Sequence, residues 1–396
     1  MSVTPSPTYS SHCQRGMSLI ELLVSLALGL AVLVGLSSVY VAAKQSFRFQ
    51  ETSGRLQEDA TFALETIARD LRMAGFAGCR GVEVTTGPVY APSLSLATAP
   101  TAITGPNPLA SVETTYATVT VQPMTPYNFV RGFDNVPSAM FASGSAPTSG
   151  TTDSIFFSGG SANAVSVTGA MALPTSSLSI ATDTFGWGSG TTYNLIVSDC
   201  LSSSIFAGQI AGGGTQIDHS SAMGNSADTF TGSAQYGIDA LVMPIEWNFY
   251  YVATRSGAST PSLYRVFYDG NARKAAQEIV TNVESMKLHY GENLNGKDSA
   301  TGLACTLSSG GATCLPTLQA DTWRTTAGAV TDWSRVVAVR IGLMMVSSDS
   351  KANSDTFIAA PPLLGASYSI PSGASSSRVR KEFSTTVVLR NRVSPR

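Results

Sequence analysis

Two hydrophobic patterns follow one another at the start of the chain. Residues 22–43, LLVSLALGLAVLVGLSSVYVAA, carry no charge over 22 positions. As a helix rising about 1.5 Å per residue they would extend roughly 33 Å, enough to cross a hydrocarbon core of about 30 Å. The pattern then becomes periodic. Between Ser46 and Arg72, Leu56, Ala60, Ala63, Ile67 and Leu71 recur at spacings of 4, 3, 4 and 4, with Leu64 beside them. Arg55, Glu58, Asp59, Glu65 and Arg69 fill positions between. That is one apolar face of a helix. No proline lies between Pro7 and Pro88 to interrupt it. The pattern predicts a single helix from Met17 to Arg72. Residues 17–43 would lie in a bilayer and residues 44–72 would pack on a globular domain, with Gly29, Gly35 and Gly54 as soft points of the backbone.

Beyond the helix, short runs are rich in β-branched and aromatic residues and are bounded by Gly, Ser, Asn and Pro. They predict strands at Asp153–Ser158, Tyr193–Ser198, Ile245–Val252, Leu263–Tyr268, Val283–Tyr290, Val336–Val346 and Phe383–Arg390. Gln277–Val283 reads as a short helix or turn ahead of its strand. The stretches 85–112, 138–152 and 159–190, rich in Ser, Thr, Gly and Pro, read as long loops or an inserted β subdomain. The expected fold class is α+β, a long N-terminal helix on an antiparallel sheet with a β-rich insertion.

Composition changes this picture in two ways. Only 13% of the 396 residues are charged and 53 Ser with 41 Thr are present, a profile of short strands and turns rather than of a helical bundle. The 43% hydrophobic content is too high for a disordered chain. The net charge of −2 is unevenly spread: residues 17–80 are neutral, residues 81–240 carry −8 and residues 241–396 carry +5. With the pattern breaks, these shifts divide the chain into 1–16, 17–43, 44–72, a Ser/Thr/Gly-rich acidic β region at 73–240 and a C-terminal β-sheet region at 241–396. Nucleic acid is a poor partner for such a balance. The basic residues Arg378, Arg380, Lys381, Arg390, Arg392 and Arg396 read as a solvated strand and chain end.

One residue resists the reading of a plain membrane anchor. Glu21 sits at the mouth of the apolar run, where a carboxylate costs about 2.5 kcal/mol or more and needs a partner. It belongs to Arg15-Gly16-Met17-Ser18-Leu19-Ile20-Glu21-Leu22-Leu23, a small residue just before the apolar stretch and an acid five positions after it. The apolar run is longer than that of a cleavable secretory signal and no small-residue cleavage site follows it. The segment resembles the class III signal of type IV pilins and pseudopilins. The resemblance implies that prepilin peptidase removes residues 1–16, cutting after Gly16, and that the new amine of Met17 is methylated. Met17 departs from the usual Phe of that family. Glu21 then has a physical role. It meets the N-terminal cation of a neighbouring subunit, at roughly 4 kcal/mol for an effective dielectric near 20. Desolvation offsets most of that, so the pair sets register more than strength.

Further motifs narrow the resemblance. Arg69-Asp70-Leu71-Arg72-Met73-Ala74-Gly75-Phe76-Ala77-Gly78-Cys79, Ser198-Asp199-Cys200, Tyr290-Gly291, Asp332 to Ile341 (DWSRVVAVRI), Arg378 to Phe383 (RVRKEF) and Leu389 to Arg392 (LRNR) resemble the PilW family of type IV pilus minor pilins and occur in family order. Segments 85–195 and 201–240 carry no such resemblance. The resemblance implies a single-pass inner-membrane protein with a periplasmic C-terminal domain. It implies partnership with other minor pilins, the major pilin and a PilY-type tip adhesin in a complex that primes pilus growth and sits at the pilus tip, supporting twitching motility and adhesion. The nearest rival is a J-type pseudopilin of type II secretion. Readings of another class are a membrane-anchored periplasmic enzyme, a binding module, or an adhesin built from the unmatched middle.

With Cys13 removed in the leader, Cys79, Cys200, Cys305 and Cys314 remain, an even number that suggests two disulfides in an exported domain. Three pairings are open. Cys305–Cys314 with Cys79–Cys200 is preferred, and free buried thiols are the alternative. No C-x-x-C is present and His219 and His289 are isolated, so no metal is expected. Glu292, Asn293, Asn295 and Asp298 gather oxygens in one loop, but not in the order of an EF-hand, and read as a polar turn. Gly212-Gly213-Gly214 lacks the lysine and the strand–loop–helix setting of a phosphate cradle, and no hydrolase or metalloprotease motif appears. No enzyme and no cofactor is expected. Trp187, Trp247, Trp323 and Trp333 read as core or interface anchors.

Overall fold

A computed structural model describes residues 18–78, 129–136, 145–147, 152–182, 186–199, 203–223, 225, 228, 230, 235–272, 274–293, 320–331, 333–348, 359–371 and 374–392. The chain divides into two units, Met1–Arg55 and Leu56–Arg396. Helix α1, Leu19–Arg72, contributes residues to both. In the first unit its side chains are exposed apart from the half-buried Thr52 and Ser53, and no break occurs at Gly29, Gly35 or Gly54. The hydroxyls of Ser25 and Ser38 donate back to the carbonyls of Leu22 (3.0 Å) and Gly35 (2.7 Å), so these polar groups are satisfied inside the helix itself. Glu51 and Arg55 form an i,i+4 ion pair at 2.8 Å.

In the second unit, α1 buries Leu56, Ala60, Ala63, Leu64, Ile67, Ala68 and Leu71, the stripe its periodicity predicts. The strands are β1 (Val130–Phe133), β2 (Ser145–Pro147), β3 (Ser154–Gly160), β4 (Val165–Ser166), β5 (Leu178–Ser179), β6 (Thr192–Ser198), β7 (Ser203–Ala211), β8 (Gln216–Asp218), β9 (Leu241–Arg255), β10 (Ser262–Tyr268), β11 (Gln277–Thr281), β12 (Val283–Glu292), β13 (Thr322–Arg324), β14 (Val336–Val346) and β15 (Arg380–Val388). All named pairings are antiparallel. The seven predicted strands are present as β3, β6, β9, β10, β12, β14 and β15. The last stops at Val388, and Arg390–Arg392 turn into a short 3-10 helix. Gln277–Thr281 is a strand, not a helix or turn: β11 pairs with β10, with a register shift between Leu263 and Tyr264.

Among the described residues the strands make two sheets. In the larger, β1-β3-β9-β6-β7-β8-β5 follow in order, with β10, β2 and β4 also on β9 and β11 beyond β10. The fifteen-residue β9 is therefore the spine: it pairs with β4 and β6 near its start, with β3 and β10 along its middle and with β2 at its end. The smaller sheet runs β13-β12-β14-β15. Alternation along β9 sorts its side chains. Tyr250 and Val252 join α1, Met286, Leu288, Ile341, Leu343 and Val387 in one core. Trp247, Phe249, Tyr251 and Ala253 join Phe133, Phe156, Tyr264 and Tyr268 in an aromatic second core. The stretch read as loops or an insertion carries β4 and β5 and contributes to a third core, with Trp187, Leu195, Phe206, Ile217, Phe230 and Tyr236. Gly212, Gly213 and Gly214 all take positive φ in the turn joining β7 to β8, a conformation glycine adopts without strain.

Candidate assembly site

The first turn of α1 is set by Ser18, whose carbonyl accepts the amides of Glu21 (3.0 Å) and Leu22 (3.1 Å). Glu21 therefore lies in the first turn, where the unpaired amides of a helix favour a carboxylate. Around it the large apolar side chains are bare: Leu19, Ile20, Leu22, Leu23, Leu26 and Leu33 each expose more than half of their surface. The helix is long and apolar enough to cross a membrane. Its apolar length is thus unburied, with a carboxylate in its first turn. Gly16 and Met17 lie outside the described residues.

The end of α1 is a joint. Asp70 accepts the Tyr250 hydroxyl at 2.7 Å and faces the Arg265 guanidinium at 3.4 Å. Arg265 in turn donates to Asn248 Oδ1 at 2.6 Å. Burial pushes the Tyr250 phenol well above its usual range, and the Asp70 charge adds to this. The Asn391 amide donates to the carbonyls of Arg72 (3.0 Å) and Ala74 (3.3 Å), which have no partner within the helix. Gly75, at φ 74°, donates its amide to Ser158 at 2.9 Å, and Gly160 donates back to Phe76 at 2.6 Å. The segment from Arg69 to Gly78 thus seals the helix to β3. Two sequence motifs far apart in the chain, RDLRMAGF and LRNR, meet here.

The other motif residues are structural as well. Tyr290 is fully buried against Trp333, with ring centroids 4.9 Å apart, and a Cβ at Gly132 would run into its hydroxyl. Arg380 holds Glu284 in a buried two-point pair at 2.6 and 2.8 Å, and Tyr368 donates to the same carboxylate at 3.1 Å. Glu292, read as one oxygen donor of a polar loop, is engaged elsewhere: Arg324 (2.7 Å) and the amide and hydroxyl of Thr331 (2.9 and 2.7 Å) donate to it. Asn295 and Asp298 lie outside the described residues, as do Cys79, Cys200, Cys305 and Cys314. Among the described residues no group of three His, Cys, Asp or Glu could hold a metal ion. His219 is buried between Phe206 and Phe230, its Nε2 2.8 Å from the Ser176 carbonyl. Trp187 and Trp247 are core residues, while Trp323 is 36% exposed.

Residues 249–391 match the family model of the type IV pilus-assembly protein W, PilW, and residues 11–37 match the prokaryotic N-terminal methylation motif. Over less than half of the chain, the two matches support a PilW-type pilin of a type IV pilus. No curated protein and no solved structure matches it. The PilW match runs from β9 through β15, so it includes Asn391 of the joint, the Glu284–Arg380 pair and the whole smaller sheet. The methylation motif covers Gly16, Met17 and Glu21. Sequence reasoning missed Asp70, Arg265 and Asn391 as a set, because ion pairs and caps across about 200–320 residues leave no local periodicity to read.

Proposed function

We propose that this chain is a PilW-type minor pilin that joins other minor pilins in an inner-membrane complex and primes assembly of a type IV pilus. Prepilin peptidase cuts after Gly16, the Met17 amine is methylated, and Glu21 of one subunit pairs with that amine of the next. The major pilin and a PilY-type tip adhesin are the further partners. The globular part lies in the periplasm and, after assembly, at the pilus tip, where it serves twitching motility and adhesion. The two disulfides Cys79–Cys200 and Cys305–Cys314 belong to this proposal. The observation that carries it is the bare apolar half of α1 with Glu21 in its first turn, lying inside the methylation motif. Such a segment has two suitable surroundings, a bilayer and a bundle of like helices.

The test is the intact mass of the protein from its native membrane. A mass beginning at Met17 plus one methyl group is expected, with a further shift of four hydrogens on reduction for two disulfides. A mass retaining residues 1–16 would overturn the reading. Glu21→Ala should leave cleavage intact and lower co-purification with the other pilins about tenfold or more, as expected for loss of a pair that fixes register. Unchanged co-purification would sink the register argument.

A further inference from the structure

The smaller sheet has two faces. One packs on α1. On the other, register sets His289 of β12 opposite Arg340 of β14, and Arg340 opposite Thr386 of β15. Directly opposed residues project from the same side of a sheet. The next row along is Gly291, Ala338 and Val388, closed at the edge by Trp323 of β13, which pairs with Gly291. The missing side chain at Gly291 makes room for Ala320, whose Cβ would lie 2.5 Å from a Cβ there, and for the indole, two of whose ring carbons would lie at 3.3 Å. The Arg340 guanidinium lies 4.6 Å from the centre of that indole, a cation–π contact that holds it upright on the face. Towards Gly342 the same face is covered, by Leu363 and Leu364. On the other half, among the described residues, Gly291 and Ala338 are buried, while Arg340 and Thr386 are exposed, with Trp323 at 36% and Val388 at 39%.

The charge on this half-face is one-sided. Lys287 is engaged by Asp153 at 2.6 Å, but among the described residues no carboxylate pairs with Arg340 or His289. Burial, with the charges of Arg340 and Lys287, holds the His289 imidazole below its usual range. Arg340, whose Nε donates to Thr386 Oγ1 at 3.4 Å, is therefore left as an exposed cation beside the indole, one row from Val388. Trp and Arg are the residues that most often anchor protein interfaces. A polyanion such as nucleic acid would need a run of cations, and a bare phosphate would gain nothing from the apolar row.

We propose that the half-face built by Trp323, His289, Arg340 and Val388 is a docking surface for an acidic strand or loop of another pilus subunit. Its carboxylate pairs with Arg340, and an apolar neighbour lies against Trp323 and Val388. The net charge of +5 over residues 241–396 favours such a partner. That the partner is a pilus subunit rests on the function proposed above.

The experiment places a photoreactive amino acid at Thr386 of the full chain, in cells that make pili, and identifies the cross-linked peptide by mass. The expected product is a peptide of a different pilus subunit containing Asp or Glu. Its yield should fall at least tenfold with Arg340→Glu, survive Arg340→Lys, and return when the partner's acid is changed to Lys opposite Arg340→Glu. An unchanged melting temperature of the Arg340→Glu chain shows that the fold is kept. A cross-link to lipid, to the same chain or to a second copy overturns the proposal, as does a yield indifferent to Arg340→Glu or no product. The N-terminal mass of the same sample separates the two readings. A chain processed after Gly16 that gives no product overturns the docking surface alone, and an unprocessed chain overturns the pilin reading.

Discussion

Tyr290 and Asp153 show how single residues set the stability of this molecule. Among the described residues the Tyr290 hydroxyl is buried without a hydrogen-bond partner. Tyr290→Phe removes that orphaned group and should be neutral or stabilising by about 1 kcal/mol in urea unfolding of the intact protein in detergent. Gly132→Ala forces a methyl into the same ring and should cost about 2 kcal/mol or more, and less in the Tyr290→Phe background, since the clash is shared. Asp153 joins the sheets: its carboxylate accepts Lys287 Nζ at 2.6 Å and the Leu288 amide at 2.9 Å, and its own amide donates to Met286. Burial raises its pKa from 3.8 to about 6, against the opposing pull of Lys287. The folded chain then holds this proton more tightly than the unfolded chain, so its contribution is fully present below about pH 4 and is lost as the pH rises through about 6. Urea midpoints measured from pH 4 to 7 should show a component falling by about 2–3 kcal/mol. Asp153→Asn should abolish that component.

At the scale of elements, α1 and its cap make the sharpest case. Asn391→Ala leaves the carbonyls of Arg72 and Ala74 without the amide that now satisfies them, and should cost about 1 kcal/mol. Hydrogen exchange should quicken in Leu71–Gly75 while Leu56–Ile67 stay protected. The helix itself was legible in the sequence because an uncharged run and a 3.6-residue stripe are strong local signals. So were β9, β12 and β14, whose β-branched and aromatic residues are buried on a pleated surface. β11 was not, since Gln277 and Glu278 favour a helix, and the strand exists only because β10 offers an edge. β7 was hidden in a Ser-rich stretch, where only Ile205, Phe206 and Ile210 mark it. The apolar start of α1, with Glu21 in its first turn, was readable from the run of uncharged residues. The joint of Asp70, Tyr250, Arg265 and Asn391 was not, because chain topology brings those groups together.

For the whole molecule, the PilW match and the architecture divide the chain differently. The match begins inside β9, yet β9 is the strand on which β2, β3, β4, β6 and β10 all pair. The family-matched part and the acidic middle therefore share one sheet and should unfold together. A single cooperative transition of residues 56–396 by both tryptophan fluorescence and far-ultraviolet circular dichroism is expected, and two resolved transitions would contradict it. The composition break at residue 240 is real in charge but not in hydrogen bonding, which is why it was visible in the sequence and is crossed by the sheet.

That spine has a consequence in time. A chain is made from its N-terminus at about 5–20 residues per second, and 95 residues separate Gly160, the end of β3, from Arg255, the end of β9. For roughly 5–20 s, on that rate, β3 waits for β9, and β6, 57 residues ahead of the end of β9, waits for about 3–11 s of that time. Unpaired strands are what foreign chains add to. The stretch that has to wait carries much of the net −8 of residues 81–240, and mutual repulsion between copies discourages that addition until Leu241–Arg255 arrives.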